Sequence, residues 1–383
     1  MLLLATVGFG VNFWAWALIS PLGAAYREQL DLTGFQQSVL VAVPVLVGSV
    51  GRIPVGALTD RVGARVMFPL VSLVTVLPVL FVGLVADSFT AMLVGGFFLG
   101  LGGTAFAIGV PLVNAWYPPA RRGTALGIFG IGMGGTAISA FTTVRLSDNV
   151  GPEAPFLIVA GVLVIFAAVA AALLRDAPGR VASPGSFLAR TWSTAKLPAT
   201  GQLSILYAVG FGGFVAFSVY LPTYLINAYG LTPGDAAMRT AGFVVLAVVM
   251  RPVGGWLSDR WDPIGVLVAS FVGAALLAGL AALELELLPA GTVAFLGLAA
   301  LLGASSGATF ALVARLAPPE KVGAVTGLVG AAGGLGGFVP PLVMGAVFDV
   351  SGDYSLGLAL LGVVCLGAAA LTRGPVRRSA RTA

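Results

Sequence analysis

Long apolar stretches, almost free of charge, occupy most of this 383-residue chain. Hydrophobic residues make up 58% of the sequence and charged residues only 9%, whereas a soluble domain usually carries about 25% charged residues. A helix needs roughly 20 apolar residues to cross a bilayer core of about 30 Å. The sequence therefore predicts about a dozen membrane-spanning helices with short loops, and little length remains for an extramembrane domain.

One polar stretch, from Arg175 to Thr200, divides the apolar runs into six before it and six after it. It contains three prolines and scattered charge, which is typical of a linker. We predict an all-α membrane protein with an N-terminal six-helix bundle, a cytoplasmic linker, a C-terminal six-helix bundle and a basic cytoplasmic tail. The predicted bounds of these four parts are 1–174, 175–200, 201–373 and 374–383.

Basic residues are distributed unequally on the two sides of this helix map. Only Arg27, Arg145 and Arg239 fall on one side, and two further arginines lie within helices. The other fifteen of the 20 are Arg61, Arg65, Arg121, Arg122, Arg175, Arg180, Arg190, Lys196, Arg260, Arg315, Lys321, Arg373, Arg377, Arg378 and Arg381. Basic loops stay in the cytoplasm, so we expect a multi-pass protein of the cell (inner) membrane with both termini cytoplasmic.

Residue types that support redox, metal or proton-relay chemistry are scarce. Cys365 is the single cysteine and the chain has no histidine, which disfavours a disulfide, a zinc site and a histidine proton relay. No nucleophile-base set, nucleotide loop or metal cluster stands out, and the loops are short for a signalling domain. We expect no cofactor, no enzymatic activity and no nucleic-acid partner. The lipid bilayer is the expected partner, and the protein is expected to be a monomer.

An internal repeat relates the two halves. The segment Arg52–Arg61 returns as Arg251–Arg260 at an offset of 199, with eight residues from the first arginine to the aspartate in both copies. The pair Gly123–Gly127 and Gly323–Gly327 has an offset of 200. The matches predict two six-helix bundles related by a pseudo-two-fold repeat, an arrangement in which a substrate path runs at the interface between the halves.

Arg52 and Arg251 are the two basic residues that fall inside predicted helices. Each lies about 12 Å along its helix from the aspartate that follows, which is too far for simple snorkelling. A buried arginine costs at least about 2.5 to 3.5 kcal/mol on insertion scales, so the charge needs compensation. All 15 acidic residues fall in loops or near helix ends. The compensating anion is then the substrate, or else the arginines are structural locks bonded to backbone carbonyls.

Loop and helix motifs resemble those of a known transporter family. Residues 56–65 (GALTDRVGAR) resemble the signature loop of the major facilitator superfamily, and residues 255–260 (GWLSDR) resemble its second-half copy. Together with the two arginines, residues 206–218 (LYAVGFGGFVAFS) and 327–341 (GLVGAAGGLGGFVPP) are similar to the nitrate/nitrite porters. The resemblance spans the whole membrane region. It implies a twelve-helix, alternating-access transporter of nitrate and nitrite that serves nitrate assimilation.

The resemblance also implies roles for particular residues. Arg52 and Arg251 match the substrate ligands of the porters, and Tyr207, Phe211 and Phe106 match aromatic residues that contact the substrate. Tyr207 and Phe211 are four residues apart and so share one helix face. There tyrosine can donate a hydrogen bond and phenylalanine can cover a flat anion. The alternative is that these aromatic side chains serve packing or interface anchoring.

Glycines are dense in the fifth and eleventh predicted helices. Such density lets helix backbones approach closely, and in the family these strips are the nitrate signature that accommodates rocking of the halves. Plain helix packing is the alternative. Where many relatives have an asparagine, the fifth helix offers Met133, which bears on substrate choice. The predicted strips comprise Gly130, Gly132, Gly134, Gly135, Gly330, Gly333, Gly334, Gly336 and Gly337.

Charged residues at the cytoplasmic helix ends form a predicted conformational latch, in which carboxylate-arginine pairs hold one state and release in the other. Positive-inside charge alone is the alternative, although it does not explain the repeated aspartate. The predicted latch comprises Asp60, Arg61, Arg65, Asp259 and Arg260.

The helices contain none of the acidic or histidine chains that commonly relay protons in transporters. We therefore predict an antiporter in which nitrate enters against nitrite, because an empty, doubly positive site resists reorientation. Proton-coupled nitrate symport is one alternative. Transport of another small anion by the same arginines, such as cyanate, formate or an organic carboxylate, is another.

Overall fold

The computed structural model describes residues 1–178, 192–317 and 322–382. Every regular element within these ranges is helical. Twelve segments are long and apolar enough to cross a membrane, and we number them α1 to α12. They are α1 (Leu2–Gln29), α2 (Gly34–Val62), α3 (Ala64–Leu84), α4 (Phe89–Trp116), α5 (Ala125–Asn149), α6 (Ala154–Leu173), α7 (Pro198–Tyr229), α8 (Pro233–Arg260), α9 (Pro263–Ala282), α10 (Leu287–Leu316), α11 (Ala324–Ser351) and α12 (Ser355–Ala380).

This set of helices confirms the predicted all-α fold, with six spans on each side of the polar stretch. The described part of that stretch includes a helical turn at 192–195, and α7 begins at Pro198. Residues 179–191, the larger part of the predicted linker, lie outside the described residues. The predicted domain bounds stay predictions.

Helix ends follow local sequence signals. Thr33 starts α2 with a capping box, in which its hydroxyl accepts from the Gln36 backbone N–H while the Gln36 side chain accepts from the Thr33 N–H. Ser88 caps α4 by accepting a hydrogen bond from the Ala91 backbone N–H, and Asp262 caps α9 by accepting one from the Gly265 backbone N–H. Gly63 separates α2 from α3 and has a φ of 100°. A positive φ strains residues that carry a Cβ, and glycine has none.

Contact clustering divides the chain into two compact units. Unit 1 comprises Met1–Gly185, Val219–Ile226 and Leu231–Ala241, and unit 2 comprises Ser186–Ser218, Asn227–Gly230 and Gly242–Ala383. In unit 1, α3 packs against α6; in unit 2, α9 packs against α10 and α12. The end of α7 belongs to unit 1, where Gln37 Nε2 donates to Thr223 Oγ1 at 3.1 Å.

Several residues that carry the orientation prediction fall outside the described part. Arg180, Arg190 and Lys321 lie outside it entirely. Of Arg121, Arg122 and Arg381, only the side chains lie outside it. The cytoplasmic placement of both termini therefore stays a prediction, whereas the described residues do form twelve helices long and apolar enough to cross a membrane.

Candidate functional site

Arg52 lies in α2, more than two helical turns before the helix ends. The residue is buried, with 8% of its surface exposed. Its Nε donates to the Gly103 carbonyl oxygen of α4 at 3.4 Å. The guanidinium carbon lies 5.1 Å from the centroid of the Phe106 ring, within the range of a cation–π contact. The structure therefore brings together two of the predicted site residues, Arg52 and Phe106.

Glycines allow α2 and α4 to touch beside this arginine. A methyl group placed on Gly103 would lie 2.8 Å from the Gly48 Cα, closer than real Cβ atoms approach. The two backbones are thus in direct contact, as small residues permit in membrane helices. This close crossing explains how the Arg52 side chain reaches the Gly103 carbonyl.

Phe106 also belongs to an aromatic cluster in unit 1. The Phe9 and Phe129 rings stack at 4.8 Å, and the Phe106 ring lies 5.7 Å from Phe9 and 6.0 Å from Phe129. The ring is 7% exposed. Phe106 therefore contacts Arg52 and also makes the packing contacts of the alternative interpretation, and its predicted contact with the substrate stays a prediction.

Arg251 lies in α8, and its environment in unit 2 is richer in aromatic groups. Its Nη2 donates to the Tyr207 hydroxyl oxygen at 2.7 Å. The guanidinium carbon lies 5.7 Å from the Tyr207 ring centroid and 5.4 Å from that of Phe211. The two rings stack at 4.8 Å with an interplanar angle of 5°. The structure thus joins Arg251, Tyr207 and Phe211 in one cluster.

Phe310 of α10 completes this cluster and was not among the predicted residues. Its ring centroid lies 5.3 Å from the Arg251 guanidinium carbon and 4.8 Å from the Tyr207 ring. The internal repeat does not locate it. An offset of 200 takes Phe106 of α4 to Ser306 of α10, and Phe310 lies four residues further along that helix.

The crossing of α8 and α10 beside Arg251 reproduces the crossing of α2 and α4. A methyl group on Gly303 would overlap the Ala247 carbonyl, and one on Gly307 would overlap the Arg251 carbonyl. Gly303 and Ala247 correspond to Gly103 and Gly48 at offsets of 200 and 199. Sequence analysis missed this GxxxG pair, Gly303 and Gly307, although its spacing is a known signal of close helix packing.

The predicted glycines of α11 lie against α7. A methyl group on Gly333 would overlap the Tyr207 ring and lie 2.9 Å from Phe211 Cδ1, and one on Gly336 would lie 2.7 Å from Ala208 Cα. A methyl group on Gly337 would lie 2.7 Å from Val215 Cβ. Gly330 and Gly334 are buried in the same helix. The absence of a side chain at Gly333 leaves the space that the two aromatic rings occupy, and Gly336 and Gly337 let α11 approach Ala208 and Val215 of α7 closely.

The glycines of α5 divide into two sets. A methyl group on Gly132 would lie 2.6 Å from Phe9 Cδ1, and one on Gly135 would lie 2.8 Å from the Trp14 backbone nitrogen, so both pack against α1. Gly130 and Gly134 have open space where a side chain would begin. Met133 is buried between these two, and its carbonyl accepts a hydrogen bond from Thr136 Oγ1 at 3.0 Å.

The predicted latch residues lie at helix ends. Arg61, Arg65, Asp259 and Arg260 are exposed, Asp60 is half-buried, and Arg260 lies over the Trp256 ring at 5.6 Å. Their pairing stays a prediction, since the neighbouring side chains 119–124 and 318–323 lie outside the described part. Sequence analysis missed Asp176, whose Oδ1 accepts from the backbone N–H groups of Ala64 at 2.9 Å and Arg65 at 3.3 Å and so caps α3.

Twelve apolar helices with an arginine-aromatic cluster in each half define a polytopic membrane protein of the transporter class. The family model of the Major Facilitator Superfamily matches residues 5–339, and a second match covers 203–382. A bacterial homologue of the human lysosomal transporter Spinster, solved in an inward-facing, unoccupied conformation, shares the fold. Its TM-score is 0.73 at 18% identity, with 100% of this chain and 96% of that chain covered.

Curated relatives place the chain more narrowly. It is 50% identical to the "Probable nitrate/nitrite transporter NarK2" of Mycobacterium tuberculosis (strain H37Rv), over 99% of this chain and 98% of the relative. It is 35% identical to the "Nitrite extrusion protein" of Bacillus subtilis (strain 168), over 95% of this chain and 91% of the relative. The "Probable nitrate transporter NarT" of Staphylococcus epidermidis is 34% identical, with coverage of 95% and 94%. The chain belongs to the Major Facilitator Superfamily and, within it, to the nitrate/nitrite porter family.

Proposed function

We propose that this chain transports nitrate and nitrite across the cell membrane by alternating access. The names of its full-length relatives support this substrate class. The twelve spans and the superfamily fold supply the scaffold on which alternating access operates. The physiological orientation in the proposal has both termini in the cytoplasm, and the transporting species is a monomer.

Arg52 and Arg251 bind the transported anion in this proposal, and the observation that carries it is the cluster around Arg251. Three aromatic rings lie 5.3 to 5.7 Å from its guanidinium carbon. Aromatic faces attract a cation and restrain its orientation. A guanidinium holds its N–H donors in a planar fork, and a restrained fork matches two oxygens of a small planar oxyanion. Arg52 is restrained in a similar way by Phe106 and Gly103.

Tyr207 supplies a further donor. A phenol is both an acceptor and a donor, so the hydroxyl that accepts from Arg251 is also chemically able to donate to an anion oxygen. The stacked Phe211 ring fixes the plane of the Tyr207 ring, so the hydroxyl position is determined by packing as well as by the arginine.

Removing this hydroxyl is expected to weaken binding and leave the fold intact. Tyr207→Phe keeps the ring contacts and loses one hydrogen bond to a charged group, so the affinity for nitrate is expected to fall about tenfold. Isothermal titration with nitrate measures the change. The matched control is Tyr229→Phe near the end of the same helix, whose hydroxyl donates to the Leu285 carbonyl. Equal affinities of the two variants would exclude Tyr207 as a ligand.

Exchange of nitrate for nitrite is the transport mode we propose. The two arginines leave an empty site positively charged, and reorienting that charge through the bilayer is unfavourable without a bound anion. The predicted latch at the helix ends, with Asp60 and Asp259, then selects between the two orientations of the loaded transporter. The glycine contacts between α7 and α11 provide smooth surfaces along which helices shift.

Proteoliposomes test this mode directly. Vesicles loaded with nitrite are expected to take up external nitrate at least about tenfold faster than vesicles that contain only an impermeant anion. Robust uptake into the latter under an inward proton gradient would establish symport instead. Competition by cyanate, formate and an organic carboxylate in the nitrite-loaded vesicles would show whether another anion is the preferred substrate.

A further inference from the structure

A cavity of about 350 Å³ lies at the ends of α9, α10 and α12 in unit 2, and its described lining includes no residue of the Arg251 cluster. Two arginines, one aspartate and four apolar residues line it. These residues are Asp262, Ile264, Leu312, Arg315, Leu316, Arg377 and Ala380. Neither the family nor the transport mechanism described above accounts for this cavity.

The charge of the cavity favours an anionic ligand. Asp262 caps α9 by accepting from the Gly265 N–H at 3.3 Å, and it forms a long ion pair with Arg315 at 3.8 Å. Arg315 also donates to the Ser258 carbonyl at 3.3 Å. Arg377 adds a second guanidinium. Among the described residues that line the cavity, positive charge therefore exceeds negative charge, and the aspartate already caps the start of its helix.

The apolar wall and the neighbouring tryptophans place the cavity at the depth of lipid headgroups. Ile264, Leu312 and Leu316 form the wall. Trp256 and Trp261, at the end of α8, are 56% and 72% exposed, and exposed tryptophans of membrane proteins concentrate at the interface between hydrocarbon and water. A ligand with a charged head and an apolar body fits both parts of the cavity.

The positions of the first half that correspond to Arg315 and Arg377 carry different residues. At an offset of 200, Arg315 and Arg377 correspond to Ala115 and Ala177. The carboxylate of the nearby Asp176 instead accepts a hydrogen bond from the Ala64 backbone N–H at the start of α3. The internal repeat therefore does not reproduce these two arginines, and the cavity they line belongs to unit 2.

We propose that this cavity binds the phosphate headgroup of an anionic phospholipid. Arg315 and Arg377 contact the phosphate through charge-assisted hydrogen bonds, and an acyl chain lies along Ile264, Leu312 and Leu316. Basic pockets between membrane helices bind anionic headgroups in this manner.

Native mass spectrometry of the full-length protein in mixed micelles tests the proposal. Phosphatidylglycerol is expected to bind the wild type with higher affinity than phosphatidylcholine, and Arg377→Gln is expected to weaken phosphatidylglycerol binding about fivefold. The matched control is Arg373→Gln, which removes an exposed charge from the same helix outside the cavity. Equal losses in the two variants would overturn the proposal, because they would reflect net charge alone.

Two further arms identify the source of the phosphate and separate this site from the transport site. Inorganic phosphate alone, tested by thermal stabilisation, is expected to have no effect that depends on Arg377; an Arg377-dependent effect would overturn the choice of a lipid. Nitrate affinity is expected to be unchanged in Arg377→Gln, and a nitrate defect would tie the cavity to transport instead. Arg315 also bonds to Ser258, so Arg377 is the cleaner position for the test.

Discussion

Lysine in place of Arg251 or Arg52 is expected to abolish stabilisation by nitrate and nitrite while the protein still folds. Lysine keeps the charge but loses the forked pair of N–H groups, and a lost hydrogen bond to a charged group is worth about 1.5 to 3 kcal/mol, or roughly a tenfold to 100-fold loss of affinity. Thermal unfolding of each variant with nitrate, nitrite, chloride, cyanate and formate measures the effect, since a bound ligand raises Tm.

Arg239→Lys is the matched control for this experiment. Arg239 lies in the same helix as Arg251, is exposed, and is far from the aromatic cluster, so its variant is expected to respond to nitrate as the wild type does. A structural lock would behave differently. If Arg251→Lys lowered Tm without ligand and yet kept the full shift with nitrate, the arginine would be a packing element and the ligand assignment would be wrong.

A single methyl group at Gly307 is expected to destabilise the protein. Gly307→Ala would place its Cβ against the Arg251 carbonyl oxygen and 2.9 Å from the Gly255 backbone nitrogen, neither of which can rotate away. Overpacking of this kind typically costs about 1 to 3 kcal/mol. Alanine ordinarily favours a helix over glycine by about 0.5 to 1 kcal/mol, so a loss of stability would be opposite to the usual trend. Thermal unfolding without any anion measures it.

The control is Gly279→Ala in α9, an exposed position with open space for a methyl group. This variant is expected to match or exceed the wild type in Tm. Similar unfolding temperatures for Gly307→Ala and Gly279→Ala would show that α8 and α10 separate easily, and the close crossing beside Arg251 would then be ruled out as a constraint on the arginine.

The sequence predicted the parts of this protein that depend on local composition. Apolar length fixed the number of spans, and the repeat identified Arg52 and Arg251 as equivalent. The spacing of Tyr207 and Phe211 placed both on one face, and the structure stacks them beside Arg251. Such inferences succeed because helix length, helix period and repeat offset are properties of a single chain.

Contacts between helices could not be predicted in the same way. In a soluble helix the apolar stripe marks the buried face, but in a membrane helix the lipid-facing side is apolar as well. Nothing in the pattern of α10 therefore showed that Phe310 faces Arg251 or that Gly307 meets its carbonyl. Asp176 was missed for a related reason, since the cap it provides joins residues more than a hundred positions apart.

Some glycines of the predicted strips contact a neighbouring helix, and others do not. Gly333 and Gly336 contact α7 beside the predicted aromatic residues, whereas Gly132 and Gly135 contact α1. Gly130 and Gly134 have open space instead. A run of glycines signals close approach, but the identity of the approaching helix depends on tertiary packing.

The main chain and the guanidinium of Arg251 are contacted by different residues, and this bears on how the sequence of such a protein can change in evolution. The arginine's main chain is held by Gly307, whereas its guanidinium is surrounded by side chains from α7 and α10. Neither Phe310 nor Phe211 supplies the atoms nearest to Gly307 at this crossing. In the anion site proposed above, selectivity among anions is therefore expected to change through single substitutions at these rings, in evolution or by engineering, while the backbone contact that places the positive charge is kept.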